Sequence, residues 1–213
     1  MNIDSEEILW RLKNEPEWVV LGLLVIGLSV GGGVYYYNQM AGANAKARQQ
    51  FSAVFSKYNR IGASGKYKNV IKQFKSLHRK YKDTDLADRI LFFLGKSHYK
   101  AGNYLTAQKQ FQRLVDNHPE SFFYEPALLH LGYSALSREK YNSARDYFRK
   151  IIDESPDHSL VYEAYWQLAL LKLKKGNNSG ARKTLDRLIS KSKQEEKNYW
   201  LKQARSLKAT MDA

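Results

Sequence analysis

The sequence predicts an all-α protein in which an N-terminal transmembrane helix precedes an α-solenoid of about four helix pairs and a C-terminal capping helix. Three observations lead to this prediction: an uncharged run of twenty residues, a pattern that recurs every 37 residues after it, and apolar residues at helical spacing within each recurrence. They divide the chain into a short acidic segment (1–17), the membrane span (18–37), the solenoid (38–192) and the capping helix (193–213).

The composition narrows the class of protein. Of the 213 residues, 35 are Lys or Arg and 21 are Asp or Glu, so the formal net charge is +14. There is no cysteine, which excludes disulfides, thiolate catalysis, cysteine-ligated metals and lipid attachment at a cysteine within these residues. A chain that is 43% hydrophobic and 26% charged has the make-up of a folded protein, which excludes wholesale disorder.

Residues 18–37 (WVVLGLLVIGLSVGGGVYYY) predict a helix that crosses a membrane. At about 1.5 Å per residue, a helix of this length spans roughly 30 Å, the thickness of the hydrocarbon core of a bilayer. Trp18 opens the run and three tyrosines close it, where amphipathic rings favour the interfaces. A signal peptide has a basic leader and a shorter apolar core, whereas residues 1–17 hold five acidic and two basic side chains. We therefore expect an anchor that is not cleaved.

The orientation of this span stays open on charge alone. Two basic side chains precede it and three lie in the twenty residues after it, which slightly favours a cytoplasmic solenoid, although this rule is weak for long translocated domains. Gly27 and Gly31 form a GxxxG pair, a spacing that lets two spans pack closely. Glycine is also common in isolated spans, so a homo-oligomer is an open alternative.

The solenoid is predicted from a gap-free internal match between residues 94–121 and 131–158. Apolar residues share one face of each predicted helix, and a proline stops the second helix of each unit. We expect small residues where two helices cross and a phenylalanine between one pair and the next. These core positions are Gly95, Ala107, Phe111 and Pro119, then Gly132, Ala144, Phe148 and Pro156, and Ala181 one period after Ala144.

This pattern resembles the tetratricopeptide repeat, whose units carry Leu-Gly, Ala, Phe and Pro at set offsets. Leu94 and Gly95 match that signature, and His98 stands where the repeat usually has tyrosine. The first and fourth units are degenerate, as expected at the ends of a solenoid. The period is 37 residues instead of the usual value of about 34, a spacing that resembles members of the family from the bacterial cell envelope.

No pattern in the sequence predicts catalysis. The five histidines include no HExxH motif and no pair four residues apart, so we expect no metal site. The stretch GASGK at 62–66 departs from a phosphate-binding loop, because Arg60 stands at the required first glycine and Tyr67 replaces Ser or Thr. We therefore expect a non-enzymatic protein without a cofactor.

The resemblance implies a binding function, because tetratricopeptide domains present the first helix of each pair on a concave surface. Aromatic anchors beside cations favour a peptide with an acidic or C-terminal carboxylate group. The alternative for Phe92, Leu129 and Leu170 is packing between adjacent pairs. The residues expected to bind the partner are Arg89, Phe92, Lys96, Tyr99, Lys100, Tyr133, Trp166 and Lys174.

The first repeat is expected to contact an anionic surface. Residues 38–213 hold 33 basic and 16 acidic side chains, and many of the basic ones cluster between Lys66 and Lys82. A basic domain beside a bilayer attracts anionic lipid headgroups or an acidic protein. Nucleic acid is disfavoured by the membrane tether and by the lack of any nucleic-acid motif. A solvated basic face without a dedicated partner is the alternative.

The whole layout, a short acidic N-terminus, one span and a repeat domain, resembles the ancillary Sec-translocon subunit family of bacterial inner membranes. That resemblance implies a single-pass inner-membrane protein with a cytoplasmic N-terminus and periplasmic repeats, acting as a chaperone-like adaptor for newly exported chains. The alternative is a structural scaffold subunit of an envelope machine, such as a flagellar motor or a division complex.

Overall fold

Nine α-helices make up the described part of the chain in the computed structural model, and no strand occurs there. The structure describes residue 13 and residues 16–61, 65–191 and 198–212, excepting the side chains of residues 16, 18–20, 23 and 212. The helices are α1 (Pro16–Arg60), α2 (Lys68–Lys80), α3 (Ala87–Lys100), α4 (Tyr104–Asn117), α5 (Tyr124–Leu136), α6 (Tyr141–Glu154), α7 (Leu160–Lys174), α8 (Asn178–Lys191) and α9 (Tyr199–Asp212).

The first helix, α1, runs without a break through the predicted membrane span and into the first repeat. The boundary predicted after residue 37 therefore lies inside one continuous helix. The apolar side chains described between Leu21 and Val34 are more than half exposed, and Leu28 reaches 75%. Among the described residues, no helix combines the length and the apolarity needed to cross a membrane. The structure thus agrees with a helix over residues 18–37, and the membrane crossing stays a prediction.

The helices pack as pairs that follow one another along a solenoid. The second half of α1 pairs with α2, and three further pairs are α3 with α4, α5 with α6 and α7 with α8. Each pair also packs on the next, and α9 packs on α8 and α7. Short loops make consecutive helices antiparallel. The predicted all-α solenoid of helix pairs is confirmed.

The solenoid curves so that the first helices of the pairs line its inner side. Helix α3 contacts α5, and α5 contacts α7, although another helix separates each couple in sequence. No comparable contact joins α4 with α6, or α6 with α8, in the part of the chain that the structure describes. Because the first helices approach one another more closely than the second helices do, the inner groove lies along α3, α5 and α7.

A ladder of phenylalanines on the second helices holds the pairs together. Phe74, Phe111 and Phe148 recur every 37 residues and are fully buried. The ring of Phe111 packs directly on Gly95 of the same pair, where an added Cβ would lie 2.7 Å from its Cε1 atom. The sequence predicted that these rings lie between one pair and the next. Within a pair, the ring also covers the glycine of the facing helix, and this is why a glycine is needed at that position.

The loops repeat as regularly as the helices. The turn inside a pair contains a residue with positive φ at Gly102, Glu139 and Gly176, each 37 positions after the last. Glycine adopts this left-handed backbone readily, whereas Glu139 adopts it against the preference of its side chain. The predicted core alanines Ala107, Ala144 and Ala181 are fully buried, and Pro119 and Pro156 are exposed after the second helices.

Replacing Gly132 by alanine is expected to lower the free energy of unfolding by about 1–3 kcal/mol, the usual effect of overpacking a core. The new Cβ would lie 2.4 Å from Cε1 of Phe148, and this ring is fully buried, so it cannot move without disturbing its neighbours. Urea denaturation of the full chain in non-ionic detergent measures the change.

Gly42→Ala is the matched control, because no atom outside its own helical turn lies within 4 Å of the added Cβ. Helix propensity predicts an unchanged or slightly higher stability for that variant. A Phe148→Leu background should shrink the effect of Gly132→Ala, because the smaller side chain frees the space. Equal stabilities of the two alanine variants would contradict the role assigned to Gly132.

Candidate binding groove

The inner groove contains a small pocket between α3 and α5. Its volume is about 260 Å³, and it is lined by Lys96, Tyr99 and Lys100 of α3 and by His130 and Tyr133 of α5. Residues three and four positions apart lie on one face of a helix, so the lining residues of α3 face the pocket together, and so do those of α5. Four of the residues predicted to bind a partner therefore come together around one cavity.

Aromatic rings form the floor of this pocket around His130. Its ring stacks on Phe111, with 5.1 Å between the ring centroids and 10° between the planes. The rings of Phe92 and Tyr99 lie 5.6 and 5.8 Å from it. Phe92 is only 5% exposed, so it supports the pocket from below and presents no binding surface. Packing between adjacent pairs, the alternative noted for Phe92 and Leu129, is what the structure shows for both.

Burial keeps the ring of His130 neutral. Desolvation, together with the positive charges of Lys96 and Lys100, lowers the pKa of His130 from 6.5 to about 3. Its Nδ1 atom is buried and has no hydrogen-bond partner among the described residues. The imidazole therefore contributes flat apolar surface and one unused polar atom to the pocket.

Two ammonium groups give the pocket a positive charge. The Nζ atom of Lys96 lies 5.5 Å from the ring centroid of Phe92 and 5.6 Å from that of Phe93, which holds it over aromatic surface. Burial and the charge of Lys100 lower the pKa of Lys96. No acidic residue described in the structure lines this pocket. An anionic group between the two ammonium groups would therefore be stabilised by both.

Tyr133 connects the pocket to the next helix pair. Its hydroxyl donates a hydrogen bond to the carboxylate of Glu163 and accepts one of 3.2 Å from Nε2 of Gln167. Burial, and after it the bond to Glu163, raises the pKa of Tyr133. Burial also raises the pKa of Glu163. Because both partners belong to α7, they hold the Tyr133 ring in a fixed position on the rim.

The other residues predicted to bind a partner lie away from this pocket. Arg89 lies over two phenylalanine rings near the start of α3. The ring of Trp166 lies 6.3 Å from that of Trp200 on α9. The ammonium of Lys174 lies 4.4 Å from the ring centroid of Tyr141 on α6. The predicted binding residues therefore do not form one continuous row, because four of them share one pocket and these three lie elsewhere.

His130 is the pocket residue that the sequence analysis missed. It interrupts an apolar stretch between Leu128 and Leu131, and Phe93 occupies the equivalent position one repeat earlier. That exchange was the available signal, but the ring neighbours of His130 come from three helices and are not apparent in the sequence. Within the described ranges, no group of three His, Cys, Asp or Glu side chains could hold a metal ion.

Replacing His130 by phenylalanine is expected to reduce the loss of stability in acid. The pKa of His130 is about 3 in the folded chain and about 6.5 in the unfolded chain. The unfolded chain therefore binds a proton first, so the contribution to stability is complete above about pH 6.5 and is lost as the pH falls towards 3. Between pH 7 and 5 the loss amounts to about 2 kcal/mol.

The measurement is the free energy of unfolding of both chains at the two pH values, from urea denaturation. His78 and His98, whose pKa values burial also lowers, are present in both chains and cancel in the difference. The same pH dependence in both chains would contradict a neutral, desolvated His130.

Two family models match the chain. The model described as tetratricopeptide repeat-like domain matches residues 13–131, and the model described as outer membrane lipoprotein matches residues 84–207. Each match covers more than half of the chain, and the two overlap in α3, α4 and α5. No curated protein is significantly similar to this chain.

Solved structures share the fold at low sequence identity. A tetratricopeptide repeat protein from Parabacteroides merdae is 17% identical to this chain, with a TM-score of 0.59. The match covers 77% of this chain and 60% of that protein, so this chain spans about 60% of the length of that protein. MamA is 19% identical, with a TM-score of 0.53 over 82% of this chain and 94% of MamA. BtubC from P. vanneervenii is 13% identical, with a TM-score of 0.59 over 82% of each chain. The chain belongs to the tetratricopeptide repeat-like domain family and, through residues 84–207, to the outer membrane lipoprotein family.

Proposed function

We propose that this chain is a membrane-anchored adaptor of the bacterial cell envelope that binds segments of other proteins in its inner groove. Tetratricopeptide folds are protein-interaction scaffolds, and the match to outer membrane lipoproteins supports a place in the envelope. The observation that carries the proposal is the pocket lined by Lys96, Tyr99, Lys100, His130 and Tyr133 on the inner side of such a scaffold.

The chemistry of this pocket fits the carboxylate end of an extended peptide. A carboxylate between Lys96 and Lys100 would form two charge-assisted hydrogen bonds and offset the repulsion between the ammonium groups. The apolar side chain next to it would pack on the rings of His130 and Tyr99. Tyr133 would flank the peptide from α5, held in place by its bonds to α7.

Residues 18–37 anchor this adaptor in the inner membrane in our proposal, with the repeats in the periplasm. The matched family consists of lipoproteins, but these 213 residues contain no cysteine that could carry a lipid. We therefore place the anchor in the apolar run of residues 18–37. The tetratricopeptide repeat-like match begins at residue 13 and includes the whole run, which supports an anchor as part of the family layout.

Within the envelope, the adaptor acts like a chaperone on exported proteins near the translocon. This role rests on the layout that the chain has in common with ancillary Sec-translocon subunits, a short acidic N-terminus, one span and repeats. A groove that recognises chain ends and apolar side chains would hold newly exported chains with little sequence preference.

The basic face of α2 contacts anionic lipid headgroups of the same membrane in this proposal. Asp85, shortly after α2, is hydrogen-bonded to Asn44 and Arg48 of α1. The end of α2 therefore lies level with the part of α1 that directly follows the predicted span. Lys80 and Lys82 are close to that point in sequence, within reach of the headgroup charge. An acidic protein is the alternative partner of this face.

A structural scaffold subunit of an envelope machine, such as a flagellar motor or a division complex, is the second candidate function. An aromatic patch at the C-terminal end of the solenoid favours it. Tyr199 is 62% exposed and its ring lies 5.0 Å from that of Trp200, which in turn neighbours Trp166. Exposed aromatic residues at one end suit a contact with another subunit, including a second copy of this chain.

A photoreactive amino acid at position 100 is expected to crosslink to many different exported chains in living cells, because Lys100 is exposed on the rim of the inner pocket. Lys109, exposed on α4, is the matched control position outside the groove. Lys96→Gln should reduce crosslinking from position 100 about tenfold, because the photoreactive residue replaces Lys100 and the variant then removes the remaining charge-assisted hydrogen bond to the peptide.

The pattern of crosslinks separates the two candidate functions. Crosslinks to one protein in a fixed ratio would favour the scaffold. Equal crosslinking from positions 100 and 109 would contradict a binding role for the inner groove.

A reporter enzyme that works only in the periplasm is expected to be active when fused to the C-terminus. Leu24→Lys combined with Leu28→Lys should release the protein from the membrane fraction, because each lysine near the centre of a span costs about 3 kcal/mol. A reporter active only in the cytoplasm would overturn the periplasmic placement. Retention of the double variant in the membrane fraction would count against the anchor.

A further inference from the structure

The outer side of the solenoid carries a second pocket, between α6, α7 and α8. Its volume is about 360 Å³. Arg149 of α6, Lys172 of α7 and Arg187 of α8 converge on it, so each helix supplies one positive charge. Arg145 and Lys175 add two more to its lining. The pocket therefore brings together cations from two successive helix pairs.

Arg145 forms an ion pair with Asp146, with 2.8 Å between the two side chains, but no described residue neutralises the other two guanidinium groups of this pocket. Asp153 is the one acidic residue that lines the pocket in the described part of the chain. Neither Asp153, Arg149 nor Arg187 forms a side-chain hydrogen bond or an ion pair with any described residue. The two guanidinium groups keep all of their donors available for a ligand.

Lys172 is held in position at this pocket by α8. Its Nζ atom donates hydrogen bonds of 2.6 Å to Oγ1 of Thr184 and 3.2 Å to the carbonyl oxygen of Gly180. Burial, and after it the charges of Arg149 and Arg187, lowers the pKa of Lys172. A fixed ammonium that is repelled by two guanidinium groups is an arrangement that an anion would stabilise.

A pocket with the same architecture lies two repeats earlier. Lys75 of α2, His98 of α3 and Arg113 of α4 each stand 74 positions before the corresponding residue of the first pocket. The cavity measures about 950 Å³, and no acidic residue that the structure describes lines it. The Nδ1 atom of His98 is buried and has no hydrogen-bond partner among the described residues, which leaves one more polar atom for a ligand.

The interface between these two pockets shows that the repeat itself does not require such cations. Gln112, Ala135 and Lys150 occupy the equivalent positions there. Gln112 donates a hydrogen bond of 2.7 Å to Asp116, and the ammonium of Lys150 lies 3.8 Å from the carboxylate of Glu154. Gln112 and Lys150 are thus paired within their own helices. In the two outer pockets, Nη2 of Arg113 lies 3.4 Å from Nε2 of His78, and neither Arg113, Arg149 nor Arg187 forms an ion pair with a described carboxylate.

We infer that the two outer pockets bind acidic side chains of one polypeptide segment that lies along the outer side of the solenoid. Converging guanidinium and ammonium groups that no carboxylate neutralises recognise the carboxylates of a ligand. Two equivalent pockets on one side, separated by an interface whose charges are paired, fit a ligand with acidic groups at two separate places. This site is distinct from the inner groove, and the inference does not rest on the function proposed there.

The spacing of the pockets sets the minimum length of that segment. Neighbouring helix axes lie about 8–10 Å apart, so equivalent positions two repeats apart are separated by at least about 20 Å. An extended chain covers that distance with about six residues. A small free anion would occupy one pocket at a time, so the second pocket would not increase its affinity.

The test uses the full chain in non-ionic detergent and a fluorescent peptide of about 12 residues, with glutamates at both ends and glycine and serine between them. Arg149→Gln combined with Arg187→Gln should weaken its binding about tenfold or more, because two charged donors are lost. Lys75→Gln combined with Arg113→Gln should weaken it by a similar factor. Glutamine already occurs at the equivalent position 112, so circular dichroism should show unchanged folding for the first variant.

The matched control is Lys109→Gln combined with Lys202→Gln, which removes the same charge from exposed positions outside both pockets. We expect the binding constant to change by less than about twofold, since only the diffuse attraction is reduced. A peptide with glutamine in place of glutamate should not bind.

Three results would overturn the inference. The first is that the pocket variants and the control variant weaken peptide binding equally, which would show that binding depends on the total charge of the chain and not on the pockets. The second is no binding of the glutamate peptide to the unmodified chain. The third is pocket-dependent binding of vesicles that contain phosphatidylglycerol without binding of the peptide, which would identify a membrane surface as the ligand.

Discussion

The packing of a buried phenylalanine on a glycine of the facing helix sets the geometry of the two central pairs. Phe111 on Gly95 and Phe148 on Gly132 leave no room for a Cβ, so the helices approach closely at these points. Because the contact recurs after 37 residues, it repeats the same crossing and generates the solenoid. Phe111 also stacks on His130 of the next pair, so the ring that closes one pair forms the floor of the inner pocket.

The fold depends on few positions of each repeat, which leaves the others free to carry different chemistry. The inner side combines ammonium groups with aromatic rings, whereas the outer side gathers cations in hollows between helix pairs. Arg149, Gln112 and Lys75 occupy one repeat position on three successive second helices, yet of these three only Gln112 has a side-chain hydrogen-bond partner among the described residues. The excess of basic residues is thus partly concentrated where a partner, and not the fold, would neutralise it.

The sequence by itself determined the helix pairs, their order and the register of their core. Helical periodicity, glycine turns and prolines act on residues that are close together in sequence, so they can be recognised without a structure. The repeat register also placed Lys96, Tyr99, Lys100 and Tyr133 on one side, because it assigns each residue to a face of its helix. The tetratricopeptide resemblance followed from the same register and is confirmed by the family match.

Only the tertiary structure decided what each of these residues does. It buried Phe92 beneath the pocket, brought His130 into it, and placed Trp166 and Lys174 elsewhere. It also joined the predicted span and the first repeat into the single helix α1. Burial, ion pairing and pKa values depend on side chains from two or three different helices, such as Tyr133 and Glu163, which lie 30 residues apart. Periodicity along one helix carries no information about those neighbours, which is why the outer pockets are absent from the sequence pattern.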